Sequence, residues 1–243
     1  MNEKEYDFPT EVLDLPSGGK IYPKESPLSS GRITIKLMTA KEEDILSSTN
    51  LIKKGVVLDK LFESIIVDKV NPNDIIIGDK NAILIAARIL GYGKDYDFVS
   101  DGRKVTADLS TLENKPLRED LITKGINSFE FTLPHTKTVV TFKALTHGDE
   151  QAIDREIKGL QKINPSASAD ISTRMKYVIT SINGDSEKKT VREFVDNYLL
   201  AKDSRALREY IKIIQPDVDL HCTLSSGAEV TIPISLNFFW PDA

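Results

Sequence analysis

Two stretches of the chain carry the same unit. Residues 33–45 read Ile-Thr-Ile-Lys-Leu-Met-Thr-Ala-Lys-Glu-Glu-Asp-Ile, and residues 140–153 read Val-Thr-Phe-Lys-Ala-Leu-Thr-His-Gly-Asp-Glu-Gln-Ala-Ile. In the first, Ile33, Ile35 and Leu37 alternate with polar residues, the period of a half-buried strand. Thr39 then stands as a helix N-cap, with Glu42 placed to complete a capping box. In the second, Thr146 is the cap and Asp149 takes the Glu42 position. Thr34/Thr141, Lys36/Lys143, Thr39/Thr146 and Glu43/Glu150 are identical at one spacing of 107 residues, the distance from 39 to 146.

Other blocks recur in the same order. A strand ending in Leu15-Pro16 matches one ending in Leu133-Pro134 at a spacing of 118, from 16 to 134. The excess over 107 is the length of residues 21–31, a proline- and serine-rich loop that the second half lacks. Asp79/Asp203, Ala82/Ala206, Ile89/Ile213 and Asp95/Asp219 are identical 124 apart. The two aspartates are expected to cap helices over 80–90 and 204–214. Gly102/Gly227, Val105/Val230, Thr106/Thr231 and Ser110/Ser235 agree at 125, in hairpins turning near 100–103 and 225–228. The chain therefore reads as an arm (1–10), a first repeat (11–125) and a second repeat (126–243). Each repeat is expected to be α+β, with short antiparallel strands or hairpins and about three helices. One helix is expected from the Thr39 cap to Gly55 and another over 57–67. The second half should hold helices over 147–163, about 171–182 and about 191–200.

Composition narrows the function. The 243 residues carry 37 acidic against 32 basic side chains, mixed along the chain with a net charge of −5. No basic stripe is present to hold a phosphate backbone, so nucleic acid is not an expected partner. The apolar runs are too short to span a bilayer, and the N-terminus lacks the pattern of a signal peptide. Cys222 is the only cysteine, and His135, His147 and His221 are scattered, so spacing builds no metal site. Gly91-Tyr-Gly93 follows a helix pattern and has Tyr96 at the third glycine position of a dinucleotide fingerprint, which leaves a helix stop as its reading. Ser186 and Lys189 meet a bare Ser-x-x-Lys spacing without the companion motifs of acyl-transfer enzymes. The pairs Glu42-Glu43 and Asp149-Glu150 fall in the first turn of capped helices, where the macrodipole favours negative charge. No catalytic residue, cofactor or metal is expected.

Two stretches lie outside the periodic elements. In residues 21–31, Ile21, Tyr22, Pro23, Pro27 and Leu28 furnish a loop that the second half does without. At the other end, Phe238, Phe239, Trp240 and Pro241 place three aromatics in the last seven residues. Such side chains either close the core or anchor a partner, and these nine residues are the candidates for protein contact. The loop is expected to be dispensable for folding.

These ends and the capped helix resemble the T4-type base-plate proteins of contractile-tailed phages, those linked to the tail hub and its assembly. Leu15-Pro-Ser-Gly-Gly-Lys-Ile-Tyr-Pro23, Pro27-Leu-Ser-Ser-Gly31, Met38-Thr-Ala-Lys-Glu-Glu-Asp-Ile45 and Phe238-Phe-Trp-Pro241 carry the likeness, which runs essentially end to end. Some relatives carry cysteine pairs in the hairpins. Here those places hold Phe98-Val-Ser and His221-Cys222-Thr, so metal binding is not carried over. The resemblance implies a non-enzymatic structural or assembly protein, made in the host cytoplasm and acting there or in the base plate of the virion tail. The partners it implies are other base-plate or hub proteins, or a further copy of this chain, with no membrane or nucleic acid. The alternative is a host-directed enzyme or small-ligand module without a recognisable motif.

Overall fold

The computed structural model describes residues 9–100, 102–164, 169–223 and 229–239. It is an α+β fold of eight helices and short antiparallel sheets of two or three strands among those residues. Strand β1 (Thr10–Asp14) pairs with β2 (Arg32–Lys36), Thr10 opposite Lys36 and Asp14 opposite Arg32. Ile33 and Ile35 of β2 are buried while Thr34 and Lys36 are half-buried, which is the alternation read above. Thr10, assigned to the arm, belongs to this ladder, and residues 1–8 lie outside the described ones.

Helix α1 (Ala40–Ser47) begins at the capping box. The Thr39 N–H donates to Glu42 Oε2 at 2.9 Å, and the Lys36 ammonium donates to Oε1 at 2.7 Å. The single helix expected to reach Gly55 is broken at Ser48, whose hydroxyl caps α2 (Thr49–Lys54) by accepting from the Leu51 N–H. Hydroxyl side chains at Ser47, Ser48 and Thr49 compete for the backbone groups that a continuous helix would use. Helix α3 (Val57–Ile65) buries Val57, Leu61, Phe62 and Ile65, then hands over to Ile66, which bridges to Ile35 of β2. Helix α4 (Ile77–Tyr92) leads into the hairpin of β3 (Asp95–Ser100) and β4 (Arg103–Asp108).

The second half likewise opens on two paired strands, β5 (Phe129–Thr132) and β6 (Val139–Phe142), followed by α5 (His147–Ile163) and α6 (Asp170–Val178). Then come β7 (Ile179–Ile182), α7 (Lys188–Asn197), α8 (Ala201–Ile214), β8 (His221–Thr223) and β9 (Glu229–Thr231). Each half thus has four helices where about three were expected. The helix expected over 171–182 stops at Val178 because Ile179, Thr180, Ser181 and Ile182 become the third strand beside β6. β-branched residues suit that half-buried ladder, and sequence period alone cannot separate it from a helix end. The turn of the last hairpin, 224–228, lies outside the described residues.

Contacts recur as well as elements. The Lys143–Asp149 ion pair at 2.8 Å and the Thr146 capping box reproduce Lys36, Glu42 and Thr39. Helices α3 and α6 both run nine residues, 113 apart, and are followed by C-caps at φ −75°, ψ 127° and φ −75°, ψ 128°. Ile179 pairs with Phe142 as Ile66 pairs with Ile35.

The halves share one continuous apolar core. Chain segments cross between them. Asn114 bridges to Val218, with the Lys115 N–H donating to the Asp217 carbonyl and the Asp219 N–H to Glu113, both at 2.8 Å. In return the 3-10 turn Leu236–Phe239 lies against α4, and the Phe238 ring meets Tyr96 of β3 edge-on at 4.9 Å.

Candidate interaction site

The residues singled out in the sequence fall into three places. The first is the loop over α4. Asp79 is not the cap of its helix: α4 starts at Ile77, its N-cap is Ile76, and no side chain caps it. Asp79 instead sits in the first turn, fully buried, and gathers the loop. Its carboxylate accepts from the Ser17 N–H at 2.9 Å, the Ser17 hydroxyl at 2.7 Å and the Tyr22 hydroxyl at 2.7 Å. The Tyr22 hydroxyl accepts in turn from the Ile76 N–H at 3.0 Å. Burial pushes the Asp79 carboxyl up to about 6, while the Tyr22 and Ser17 bonds pull it back and the nearby Asp217 charge adds to the rise. Ile21, Tyr22 and Leu28 are buried in the core, and Pro23 and Pro27 are exposed. The expectation of a dispensable recognition loop is therefore corrected for Ile21, Tyr22 and Leu28. Their surface is already covered by this chain, because the loop closes the space over β2 and α4.

Asp203 behaves alike. Helix α8 starts at Ala201 with Leu200 as N-cap and no side-chain cap, so Asp203 does not cap it either. Its carboxylate accepts from the backbone N–H groups of His135 (2.8 Å) and Thr136 (3.0 Å), the residues after Leu133-Pro134. Burial is the largest single influence and raises its pKa, but these two N–H bonds, the Thr136 side chain and His135 together outweigh it and the net shift is downward. Each aspartate thus fastens the turn after its own Leu-Pro strand, a tertiary role that helix periodicity does not reveal. Thr39 and Thr146 cap their helices as expected.

At the C-terminal end, Phe238 and Phe239 are fully buried, while Trp240 and Pro241 lie outside the described residues. For the two phenylalanines the partner-anchor expectation is corrected, since they close the core above α4. Arg88 holds them there. Its guanidinium donates to the carbonyls of Phe238 (2.8 Å), Gly93 (2.7 Å) and Asp95 (3.0 Å) and lies over the rings of Tyr92 and Tyr96. Burial lowers its pKa, against the two tyrosines.

One joint was not anticipated. The His147 N–H donates to the Ile75 carbonyl at 2.8 Å and the Ile77 N–H to the Leu145 carbonyl at 2.9 Å, bridging Thr146 to Ile76. The His147 ring, fully buried, meets Phe62 edge-on at 4.9 Å and lies 3.0 Å from the Lys80 ammonium through Nδ1. Lys80 also donates to Asp59 at 2.8 Å, and the other ring nitrogen faces Glu63 at 3.8 Å. An ammonium can only donate, so Nδ1 accepts from Lys80, and the Gln151 side-chain amide nitrogen lies 3.1 Å from Nε2. Burial and Lys80 hold the imidazole pKa down, against Asp59 and Glu63. The cluster has the residue types of an acid–base site, yet its imidazole has no exposed surface for a substrate. It clamps α5 onto α3 and α4. The spacing of Thr146 and His147 showed a helix start but not what that start touches.

Beside this joint a cavity of about 390 Å³ is lined by apolar Ile52 and Leu84 and by Asp59, Lys80, Asn81 and Glu150. A second, of about 380 Å³, opens between α6 and α8, with Met175, Leu199 and Ser204 in its wall. Near it Ile171, Tyr198 and Leu200 are 52%, 60% and 51% exposed. Among the described residues no three His, Cys, Asp or Glu side chains gather as a metal site, and no helix is long and apolar enough to cross a membrane. Compared with known proteins, the chain matches no family model, no curated protein and no solved structure.

Proposed function

We propose that the chain is a non-enzymatic structural or assembly protein of a phage contractile tail, a base-plate hub component or a hub-assembly factor, working through protein–protein contacts. The likeness in residues 15–23, 27–31, 38–45 and 238–241 supports the tail assignment. It also fits assembly in the host cytoplasm and a final place in the base plate. The observation that carries the contact reading is the apolar rim beside α8, where Ile171, Tyr198 and Leu200 are more than half exposed. Aromatic and aliphatic side chains beside a groove are the anchors that protein interfaces use. The recurring blocks and contacts support descent of the two halves from one duplicated unit.

The test is quantitative mass spectrometry of purified particles, together with affinity capture of the chain from infected cells. Recovery with hub proteins, diminished by Tyr198→Asp, is the expected result. Capture of the chain without any tail protein, and normal tails when it is deleted, would overturn the reading. A small-ligand role is the second reading, favoured by the 390 Å³ cavity, whose volume suits a small molecule. Saturable thermal stabilisation by a metabolite, lost in Asn81→Ala, would favour it.

A further inference from the structure

Inside the chain, residues 145–147 at the start of α5 are seated on residues 75–77 at the start of α4. Both partners exist a second time. The start of α1 corresponds to that of α5 at a spacing of 107, so Met38, Thr39 and Ala40 match Leu145, Thr146 and His147. The start of α8 corresponds to that of α4 at 124, so Leu199, Leu200 and Ala201 match Ile75, Ile76 and Ile77. In the occupied joint Ile76 is 1% exposed and His147 0%, whereas its counterpart Leu200 is 51% exposed and Ala40 is on the surface. Among the described residues, Leu199 and Ala201 make no bond to a strand–helix junction like the one Ile75 and Ile77 make.

The receiving groove is duplicated too. Phe62 and Asp59 of α3 and Lys80 of α4, which surround His147, correspond to Met175 and Ser172 of α6 and Ser204 of α8. Those three residues line the open 380 Å³ cavity, together with Leu199 and Ala201. One groove is thus filled by the neighbouring half of the chain, and among the described residues its counterpart stands open beside exposed apolar side chains.

We propose that copies of this chain associate head to tail, residues 38–40 of one copy occupying residues 199–201 of the next in the register of the internal joint. The occupant is a second copy because this chain already makes the same contact with itself, and among the described residues one plug and one groove are left unused. The contact is looser at one point. Lys41 replaces Gly148, where a Cβ would lie 3.0 Å from Asn73, so the intermolecular joint opens by a few tenths of an ångström. A plug-and-groove contact is heterologous, so it builds rings or filaments instead of saturating as a symmetric dimer. The proposal does not depend on the tail assignment.

Sedimentation velocity and light scattering of the purified full-length chain over a concentration series test it. The wild type should form oligomers that grow with concentration. Leu200→Asp removes the groove's apolar rim and places a favoured N-cap residue on α8, so it should be monomeric without losing thermal stability. Ala40→Arg blocks the plug and should also be monomeric. Mixed together, the two variants retain one intact plug and one intact groove, and should form a 1:1 heterodimer that grows no further. A wild-type chain that stays monomeric at its highest soluble concentration overturns the proposal. So do oligomers that survive both substitutions, or variants that fail to pair. Binding of hub proteins by a strictly monomeric wild type would do the same while leaving the tail assignment intact.

Discussion

The Tyr22 hydroxyl accepts from the Ile76 N–H and donates to Asp79, so removing it orphans a buried donor and takes one of three hydrogen bonds from a buried carboxylate. Tyr22→Phe should cost about 1–3 kcal/mol in chemical denaturation, the usual penalty for orphaned buried groups. Asp79 also gives stability a pH dependence of unusual sign. Its carboxyl rises from 3.8 unfolded to about 6 folded, so its contribution is fully present below 3.8 and is lost as pH rises through about 6. Glu42 has the opposite sign. Burial works against ionisation there, but Lys36 and Thr39 prevail and hold it down from 4.5 to about 2. Its contribution is present above 4.5 and is lost as pH falls through about 2. Denaturation midpoints of wild type, Asp79→Asn and Glu42→Gln across this range check both. The wild type should lose ground to Asp79→Asn between 3.8 and 6. Its advantage over Glu42→Gln should shrink below 4.5.

Among the elements, the two capped helices were the most legible. Thr39→Ala and Thr146→Ala should each cost about 0.5–2 kcal/mol, the range for loss of an N-cap. Unchanged denaturation curves would show that the capping bonds contribute nothing. The loop over 21–31 was the least legible. A proline- and serine-rich segment absent from one half looks like an addition to the surface, yet it buries Ile21, Tyr22 and Leu28 and ties β1 to α4 through Asp79. Cutting it to a two-residue turn should therefore lower the melting temperature and broaden the transition. An unchanged melting curve would restore the idea of a free loop. The strand at Ile179–Ile182 was missed for a different reason: four residues after a helix show no separate period until a partner strand is known.

For the whole molecule, the decisive feature is how closely the halves approach. A Cβ on Gly78 would lie 1.8 Å from the Pro216 carbonyl oxygen, a backbone atom of the other half. Gly78→Ala should thus be severely destabilising and should separate the unfolding of the two halves in calorimetry. The corresponding Lys202 is exposed, and Lys202→Ala should be neutral within about 0.5 kcal/mol. Equal effects at both sites would contradict the unequal surroundings of the two helix starts.

The sequence by itself determined the α+β class, the order of the recurring blocks, both hairpins, and the threonines that start α1 and α5. These depend on local rules: apolar period, capping geometry and turn chemistry act within a few residues. Tertiary structure alone decided what the aspartates, the loop aromatics and the C-terminal phenylalanines do. Asp79 reads as a cap until Ser17 and Tyr22, 62 and 57 residues away, are brought to its carboxylate. Phe238 and Phe239 read as anchors for a partner until Arg88, 150 residues away from Phe238, holds its carbonyl and the core closes over both rings. His147 and Ala40 stand at the same place in two similar units, and only the packing of one half on the other buries the first and exposes the second. Long-range burial reverses the meaning of a polar or aromatic residue, because the same side chain fills a core, seals a joint or meets solvent according to what the fold brings against it.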